Sequence, residues 1–327
     1  MQGKCNSIYM RILVTGAAGF IGSQLSEHLA LKGHDVIGID CLVDNYAREL
    51  KNRNIRTIRE QGCAFVSCDL AEDSLSNVLQ GVDAVFHCAA QPGLSSVASL
   101  DDYIRNNIIA TNRLLDAVID ANSVSGGLIY ISTSSVYGAK AIGNENAETK
   151  PTSYYGVTKL AAEHLVMAAS RQGKIDACSL RLFSVYGPRE RPEKLYPRLI
   201  ECILQDKEFT LFDGSYDHYR SYTYVADALD GMLLVLDNMS KCNNEIFNIG
   251  SNVSITTREG ISIIENLLGR QAKISIIPKR PGDQLETRAD IEKARTILGY
   301  EPTTSVLDGL SQEVNWFRDN NIYDGTN

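Results

Sequence analysis

Tyr155 and Lys159, in the stretch Tyr155-Gly156-Val157-Thr158-Lys159, carry the clearest chemical signal of this chain. In the first turn of a helix, residues at i and i+4 share one face, so the ammonium stands beside the phenol. A phenol of ordinary pKa near 10 is a poor base at neutral pH, and lowering it by about three units takes roughly 4 kcal/mol of differential stabilisation. A cation held next to it favours the phenolate. Upstream, the apolar stretch 127–132 runs into Thr133-Ser134-Ser135-Val136-Tyr137-Gly138. A hydroxyl there, from Thr133 or from Ser134 or Ser135, lies at a strand's carboxyl end, where doubly wound sheets open their active sites. The two segments together supply groups for taking a proton from an alcohol and steadying its oxygen.

A second constellation lies near the amino end. The apolar run 12–15 leads into Gly16-Ala17-Ala18-Gly19-Phe20-Ile21-Gly22 and then into a helical pattern. Glycines at such a turn let the backbone approach a pyrophosphate, whose charge sits at the helix N-terminus. Asp40 stands 18 residues after Gly22, at the end of the next apolar run. A carboxylate there accepts hydrogen bonds from adenosine ribose hydroxyls and repels a 2′-phosphate, which favours NAD over NADP. A bound nicotinamide would add its own positive charge beside Tyr155.

The elements that must position these groups can be read from the alternation of short apolar runs with amphipathic stretches. Strands are expected over 12–15, 35–40, 63–67, 84–88, 127–132, 177–183 and 245–249. Helices are expected over 22–32, 102–121, 155–171 and 224–237. Apolar strands separated by helix-length segments predict a parallel sheet covered on both faces. The fold class is therefore α/β, a doubly wound, Rossmann-like parallel sheet with a smaller, interleaved α+β substrate-binding domain. After Gly187-Pro188 the pattern changes to a charged, proline-bearing loop over 189–197 with a short helix. The tail from 256 reads as short helices with a proline-bearing segment over 277–283. Residues 1–9 read as a lead-in.

Composition bounds the partners. The chain has 327 residues, 44% hydrophobic and 22% charged, enough for one large domain or two smaller ones. A formal net charge of -8 argues against a nucleic-acid or anionic-membrane surface, so an anionic ligand must be met by locally placed cations. The eight cysteines form no CxxC pair and no Cys/His cluster at metal spacing, which points to free thiols in a reducing cytoplasm and to no metal site. No apolar run approaches the length of a membrane span.

Glycine loop, strand-end hydroxyl and Tyr-x-x-x-Lys, in this order, resemble the extended branch of the short-chain dehydrogenase/reductase superfamily, and within it the NAD-dependent epimerase/dehydratase family. Further matching stretches are Asp69-Leu70, His87-Cys88-Ala89-Ala90-Gln91, Asn107, Leu180 through Pro188, and Phe247-Asn248-Ile249-Gly250. The resemblance implies catalytic roles for Tyr155, Lys159 and Thr133. It implies cofactor contacts at Gly16, Gly19, Phe20, Ile21, Gly22, Asp40, Asp69, Leu70, Ala89, Ala90, Gln91, Asn107, Tyr155, Lys159 and Tyr186. It implies an NAD-binding domain over 1–183, rejoined by about 221–250, and a nucleotide-sugar domain over 184–220 and 251–327. Relatives often dimerise through two long helices, here 102–121 and 155–171, so a homodimer is expected.

The sugar end is read from the same resemblance. Arg220 and the Arg280-Pro281-Gly282-Asp283 segment look like family segments that grip the diphosphate of a nucleotide sugar, a task suited to forked guanidinium donors. Ser184 and Arg191 match positions that address the sugar carboxylate in UDP-glucuronate 4-epimerases, and Ser134 and Ser135 lie on the substrate side of the strand-end run. The sequence departs from those epimerases at Leu94 and Ser95, where they carry an arginine, and in having Arg280. UDP-glucose and its N-acetylated relatives therefore stay open as substrates. The expected activity is that of an isomerase, a 4-epimerase working through a 4-keto sugar. Dehydratases of the family place Asp-Glu after the strand-end threonine, and decarboxylases keep a Glu at the Ser135 position. Serines stand at both positions in this chain, which disfavours those two alternatives. A non-catalytic NAD-binding sensor or scaffold usually loses the Tyr or the Lys, and both are present.

Overall fold

The computed structural model describes residues 9–43, 46–93, 98–279 and 284–320. Its first strands follow the apolar runs: β1 (Arg11–Thr15), β2 (Asp35–Asp40), β3 (Ala64–Ser67), β4 (Ala84–His87) and β5 (Leu128–Thr133). Ile12, Leu13 and Val14 of β1 and Ala84, Val85 and Phe86 of β4 are fully buried, as strands covered on both faces must be. With Ala177–Leu182 and Ile246–Ile249 they form a seven-stranded sheet, ordered 246–249, 177–182, β5, β4, β1, β2, β3. Pairing is parallel from β3 through β5, so these strands end on one edge. The strand order reverses between β1 and β4, the switch point at which doubly wound sheets bind ligands.

Contacts divide the chain into two compact units. One runs up to Thr133 and includes Tyr154–Arg181 and Gly231–Phe247, and the other comprises Ser134–Ser153, Leu182–Asp230 and the chain from Asn248 onward. In the first unit, Leu13, Ile39, Val85, Leu114, Tyr130 and Val166 belong to the core cluster between the sheet and its helices. Helices Phe20–Leu31, Arg48–Glu60, Ala110–Ala121 and Tyr154–Arg171 belong to this unit. The single helix expected over 102–121 is built differently. An α-turn Leu100–Tyr103, opened by a Ser99–Asp102 capping box, passes into a π-helical segment Ile104–Ile109 before the α-helix resumes at Ala110. A 3.6-residue period does not reveal such a widened turn.

The second unit contains a four-stranded sheet ordered Ile255–Thr256, Tyr219–Arg220, Glu286–Ala289, Lys140–Gly143. Glu208–Phe212 pairs in parallel with Lys273–Ile277, and Val185–Tyr186 with Thr223–Tyr224. Part of the expected proline-bearing loop is helix. Leu195–Leu204 carries Pro197 as its third residue, within the first turn, where the missing N–H removes no intrahelical bond. The tail also departs from its reading as short helices. Thr257–Leu268 and Val306–Asp319 run for 12 and 14 residues, opened by the side-chain caps Thr256 and Ser305.

Candidate active site

The glycine loop and the acid expected to serve with it are joined directly. β1 ends at Thr15, and Gly16 follows with φ of 70°, a left-handed conformation suited to glycine. A side chain on Gly22 would bring its Cβ to 2.3 Å from the Gly16 carbonyl oxygen, so the turn closes only with glycine there. Helix Phe20–Leu31 begins immediately behind, with Gly19 at its cap and the uncharged Phe20-Ile21-Gly22-Ser23 in its first turn. Its positive end is therefore uncompensated by a first-turn acid, which suits an anionic ligand. Asp40, at the end of β2, accepts from the N–H of Ala18 at 3.2 Å and of Leu42 at 2.8 Å. Asn54, which sequence reasoning missed, braces the loop by donating to the Ala18 carbonyl at 2.9 Å. A glycine cradle, a helix end and a strand-end carboxylate in one place fit the pyrophosphate and adenosine ribose of NAD.

Asp69 and Leu70 follow β3. The Asp69 carboxylate accepts from Ala71 N–H at 2.9 Å and from Arg105 at 2.7 Å, and Arg105 also holds Glu72 at 2.5 Å. Leu70 is buried, and its carbonyl accepts from Arg113 at 3.0 Å. Arg105 belongs to the π-helical segment, so the segment's geometry reaches the Asp69 turn.

Ala89, Ala90 and Gln91 leave β4 along a chain of buried hydrogen bonds. The Thr15 hydroxyl accepts from Ala89 N–H at 3.0 Å and meets Nδ1 of His87 at 2.8 Å, while His87 Nε2 meets the Thr111 hydroxyl at 2.8 Å. Thr111 donates to the Asn107 carbonyl at 2.6 Å, so the network assigns the proton to Nε2 and leaves Nδ1 to accept from Thr15. Burial pulls the His87 imidazole down to about 3, with Lys159 adding to the effect, and the ring stays neutral. Asn107 accepts Gln91 N–H at 2.7 Å and donates to the Thr158 hydroxyl at 2.9 Å. The sequence offered no periodic signal for His87, Thr111 and Thr15 acting together, because they come from three elements.

Tyr155 and Lys159 stand in the first turns of Tyr154–Arg171, with Tyr155 half-buried and Lys159 buried. The Lys159 ammonium donates to the Ile131 carbonyl of β5 at 2.6 Å and lies 4.1 Å from the centre of the Tyr130 ring. Desolvation pulls this ammonium down to about 7, opposed by Cys88 and Glu163. Thr133, two residues beyond Ile131, closes β5 and is buried. The bond from Lys159 to the strand thus ties the helix of Tyr155 and Lys159 to the carboxyl end that carries Thr133. One turn further, the fully buried Glu163 takes Arg181 through two bonds, 2.6 and 3.1 Å, and Ser179 at 3.0 Å. Burial raises the Glu163 carboxyl, but Arg181 together with the hydroxyls of Ser132 and Ser179 more than offsets this and the group is held below its usual value. This ion pair, absent from the sequence reading, keeps a carboxylate under the lysine.

The remaining expected residues lie in the second unit. Gln284 joins two of them, donating to the carbonyls of Ser134 at 3.2 Å and Gly138 at 3.0 Å while its own carbonyl accepts from the Arg220 guanidinium. Ser135 is half-buried. Ser184 has φ of 27°, and its carbonyl accepts from Thr223 N–H at 3.1 Å. Tyr186 is buried, edge-on to Tyr196, Tyr222 and Tyr224. Arg191 is ion-paired with Glu193 at 2.5 Å. Arg280 and Asp283, like Leu94 and Ser95, lie outside the described residues.

A parallel sheet that brings a glycine loop, a strand-end acid, a strand-end threonine and a Tyr–Lys helix to one edge defines a short-chain dehydrogenase/reductase. The chain belongs to the NAD dependent epimerase/dehydratase family, whose profile matches residues 12–250. It is 39% identical over 321 residues to the uncharacterised UDP-glucose epimerase YtcB of Bacillus subtilis strain 168, covering 97% of this chain and 100% of that one. Among solved structures it resembles a UDP-glucuronic acid 4-epimerase from Bacillus cereus in complex with UDP-glucuronic acid and NAD. That match has 38% identity and a TM-score of 0.89, over 95% of this chain and 99% of that one. It also resembles DesIV, a dTDP-glucose 4,6-dehydratase from Streptomyces venezuelae with NAD bound, at 31% identity and a TM-score of 0.87, over 95% and 98% of the two chains. Among the described residues no helix is long and apolar enough to cross a membrane.

Proposed function

We propose that this chain is an NAD-dependent isomerase that inverts C4 of a UDP-sugar, a UDP-hexuronate or a UDP-hexose, through a transient 4-keto sugar. The observation that carries this reading is the Lys159 ammonium, buried and tied to β5, beneath a strand end whose next residues are the uncharged Ser134 and Ser135. Bound NAD supplies a reversible acceptor for the hydrogen at C4. Tyr155, as phenolate, takes the O4 proton and later returns it, and Thr133 steadies that oxygen. Asp40 meets the adenosine ribose, the loop from Gly16 to Gly22 meets the pyrophosphate, and Arg220 meets the diphosphate of the sugar nucleotide. Ser184 and Arg191 address the group on C5 of the sugar. The first unit thus serves the dinucleotide and the second the sugar nucleotide. Serine is too weak an acid to move protons at C5 and C6, and this separates the chain from 4,6-dehydratases of the same fold.

The same reading makes the protein a cytoplasmic homodimer without nucleic-acid partners. Ile109, Tyr154 and Val157, 44%, 57% and 48% exposed, supply apolar surface on the two helical segments expected to pair. The test is incubation of the NAD-loaded protein with UDP-glucuronate and UDP-glucose separately, with products resolved by NMR. A 4-epimer without net NADH is expected from at least one of them. A 4-keto-6-deoxy sugar, a pentose, or an unchanged substrate would overturn the reading.

A further inference from the structure

Arg191 is neutralised from within its own segment. Its guanidinium lies 2.5 Å from the carboxylate of Glu193, and the arginine side chain is only 16% exposed while that of Glu193 is 48% exposed. The arginine is thus largely shielded from water and the acid paired with it is the more exposed partner. Two turns hold the segment, with Glu190 N–H on the Gly187 carbonyl at 3.0 Å and Lys194 N–H on the Arg191 carbonyl at 3.0 Å. Lys194 then opens helix Leu195–Leu204.

The other carboxyl beside Arg191 does not compete for this role. Desolvation pushes Glu190 up to about 8, against the pull of Lys194 and Arg191. Glu313 of helix Val306–Asp319 is fully buried, and among the described residues both its carboxyl oxygens are without a hydrogen-bond partner. Burial, and then Glu190, drives the Glu313 carboxyl well above its usual value. Desolvation thus holds both carboxyls toward the protonated form near neutrality. Glu193 is the carboxylate that pairs with Arg191.

We propose that Glu193 is a specificity-determining residue, an internal counter-ion that occupies the Arg191 guanidinium until the carboxylate of a hexuronate displaces it. This rests on the reading of the chain as a UDP-sugar epimerase in which Arg191 addresses the C5 substituent. A carboxylated sugar exchanges one ion pair for another, and Glu193, half exposed, returns to water. A neutral sugar has nothing to exchange and leaves the pair closed. Glu193 thereby lowers affinity for the acid sugar, and the strength of its grip sets how far the enzyme prefers one substrate class over the other.

The test is calorimetric titration of UDP-glucuronate and UDP-glucose into NAD-loaded wild-type protein and Glu193→Gln, with thermal melting to confirm that the half-exposed substitution leaves the fold intact. A partly exposed ion pair is worth up to about 1 kcal/mol, about fivefold in a dissociation constant. UDP-glucuronate should bind about two- to fivefold more tightly to Glu193→Gln, with UDP-glucose unchanged. Arg191→Ala should make further removal of Glu193 inconsequential. Equal changes for both nucleotides, weaker UDP-glucuronate binding, or undetectable UDP-glucuronate binding in both proteins would overturn the proposal. Absence of turnover on either sugar would overturn the epimerase reading instead, because the binding ratio is read without catalysis.

Discussion

Asn107 donates through Nδ2 to the hydroxyl of Thr158 at 2.9 Å, and through this bond the segment expected to line the dinucleotide is tied to the helix that carries Tyr155, the proposed base. On one side Asn107 accepts Gln91 N–H at 2.7 Å, and on the other Thr158 donates to the Tyr154 and Tyr155 carbonyls at 2.8 and 3.2 Å. The π-helical segment Ile104–Ile109 is what presents Asn107 between them, in keeping with the frequent siting of such turns at functional places. Asn107→Ala should therefore lower both NAD affinity and kcat, the latter by about tenfold to a hundredfold from a displaced base. Thr158→Val, which removes the link to Asn107 and the hydroxyl's bonds to the Tyr154 and Tyr155 carbonyls but leaves the Gln91–Asn107 bond, should lower kcat while leaving NAD affinity intact. Identical effects of the two substitutions, measured by NAD titration and steady-state kinetics, would contradict the bridging role.

The lysine should set the pH at which the enzyme works. Removing one proton from the Tyr155–Lys159 pair creates the base, and the buried ammonium is pulled down to about 7. The acid limb of kcat/KM should then bend near pH 7, with activity lost as pH falls. Lys159→Met leaves Tyr155 to titrate toward its ordinary value near 10, which costs about a thousandfold in base at pH 7 and is regained as pH rises. Tyr155→Phe should lose turnover at every pH and still bind NAD. Superimposable pH profiles for wild type and Lys159→Met would remove the lysine from the mechanism.

Helix Val306–Asp319 hides a pH-dependent weakness. Glu190 titrates at about 8 and Glu313 well above its usual value in the folded protein, each chiefly through desolvation. An unfolded Glu titrates at about 4.3. Between these values the folded state binds more protons than the unfolded chain, so stability is complete below about pH 4.3 for this pair and falls as pH rises through about 8. Glu313→Met should remove part of that slope and raise stability at pH 8.5 by on the order of 1–3 kcal/mol, the cost of a buried unsatisfied polar group. Thermal melts at pH 6 and 8.5 check this. An unchanged difference in Tm between the two would show that the pair ionises without penalty.

What could be read from the sequence follows from where each signal is stored. Gly16 through Gly22, Asp40, Tyr155 and Lys159 sit at fixed offsets along strand–turn–helix segments, so local spacing declares them. The strands of the large sheet are declared by continuous apolar runs such as 12–15 and 84–87. The Thr15–His87–Thr111 chain and the Glu163–Arg181 pair are assembled from separate elements and become visible only when β1, β4 and the helices are in register. The π-helical turn at Asn107 escapes a 3.6-residue template. The short helix expected beside the charged loop begins inside it, at Leu195, because Pro197, a residue that stops helices elsewhere, fits their first turn. The buried Glu313 carries no marker that distinguishes it from the exposed acids of an amphipathic helix.

In a 4-epimerase that works through NAD, the hydrogen removed from C4 of the sugar is the one put back. Wild-type protein loaded with NAD and given a UDP-sugar deuterated at C4 in ordinary water measures this most directly. The 4-epimer should keep its deuterium at C4, read by NMR and mass spectrometry, while the O4 proton handled by Tyr155 exchanges freely with solvent. A 4-epimer that has lost the label to water would mean that inversion proceeds by deprotonation at carbon, and neither the Tyr155–Lys159 pair nor the dinucleotide site would then have the role assigned to it.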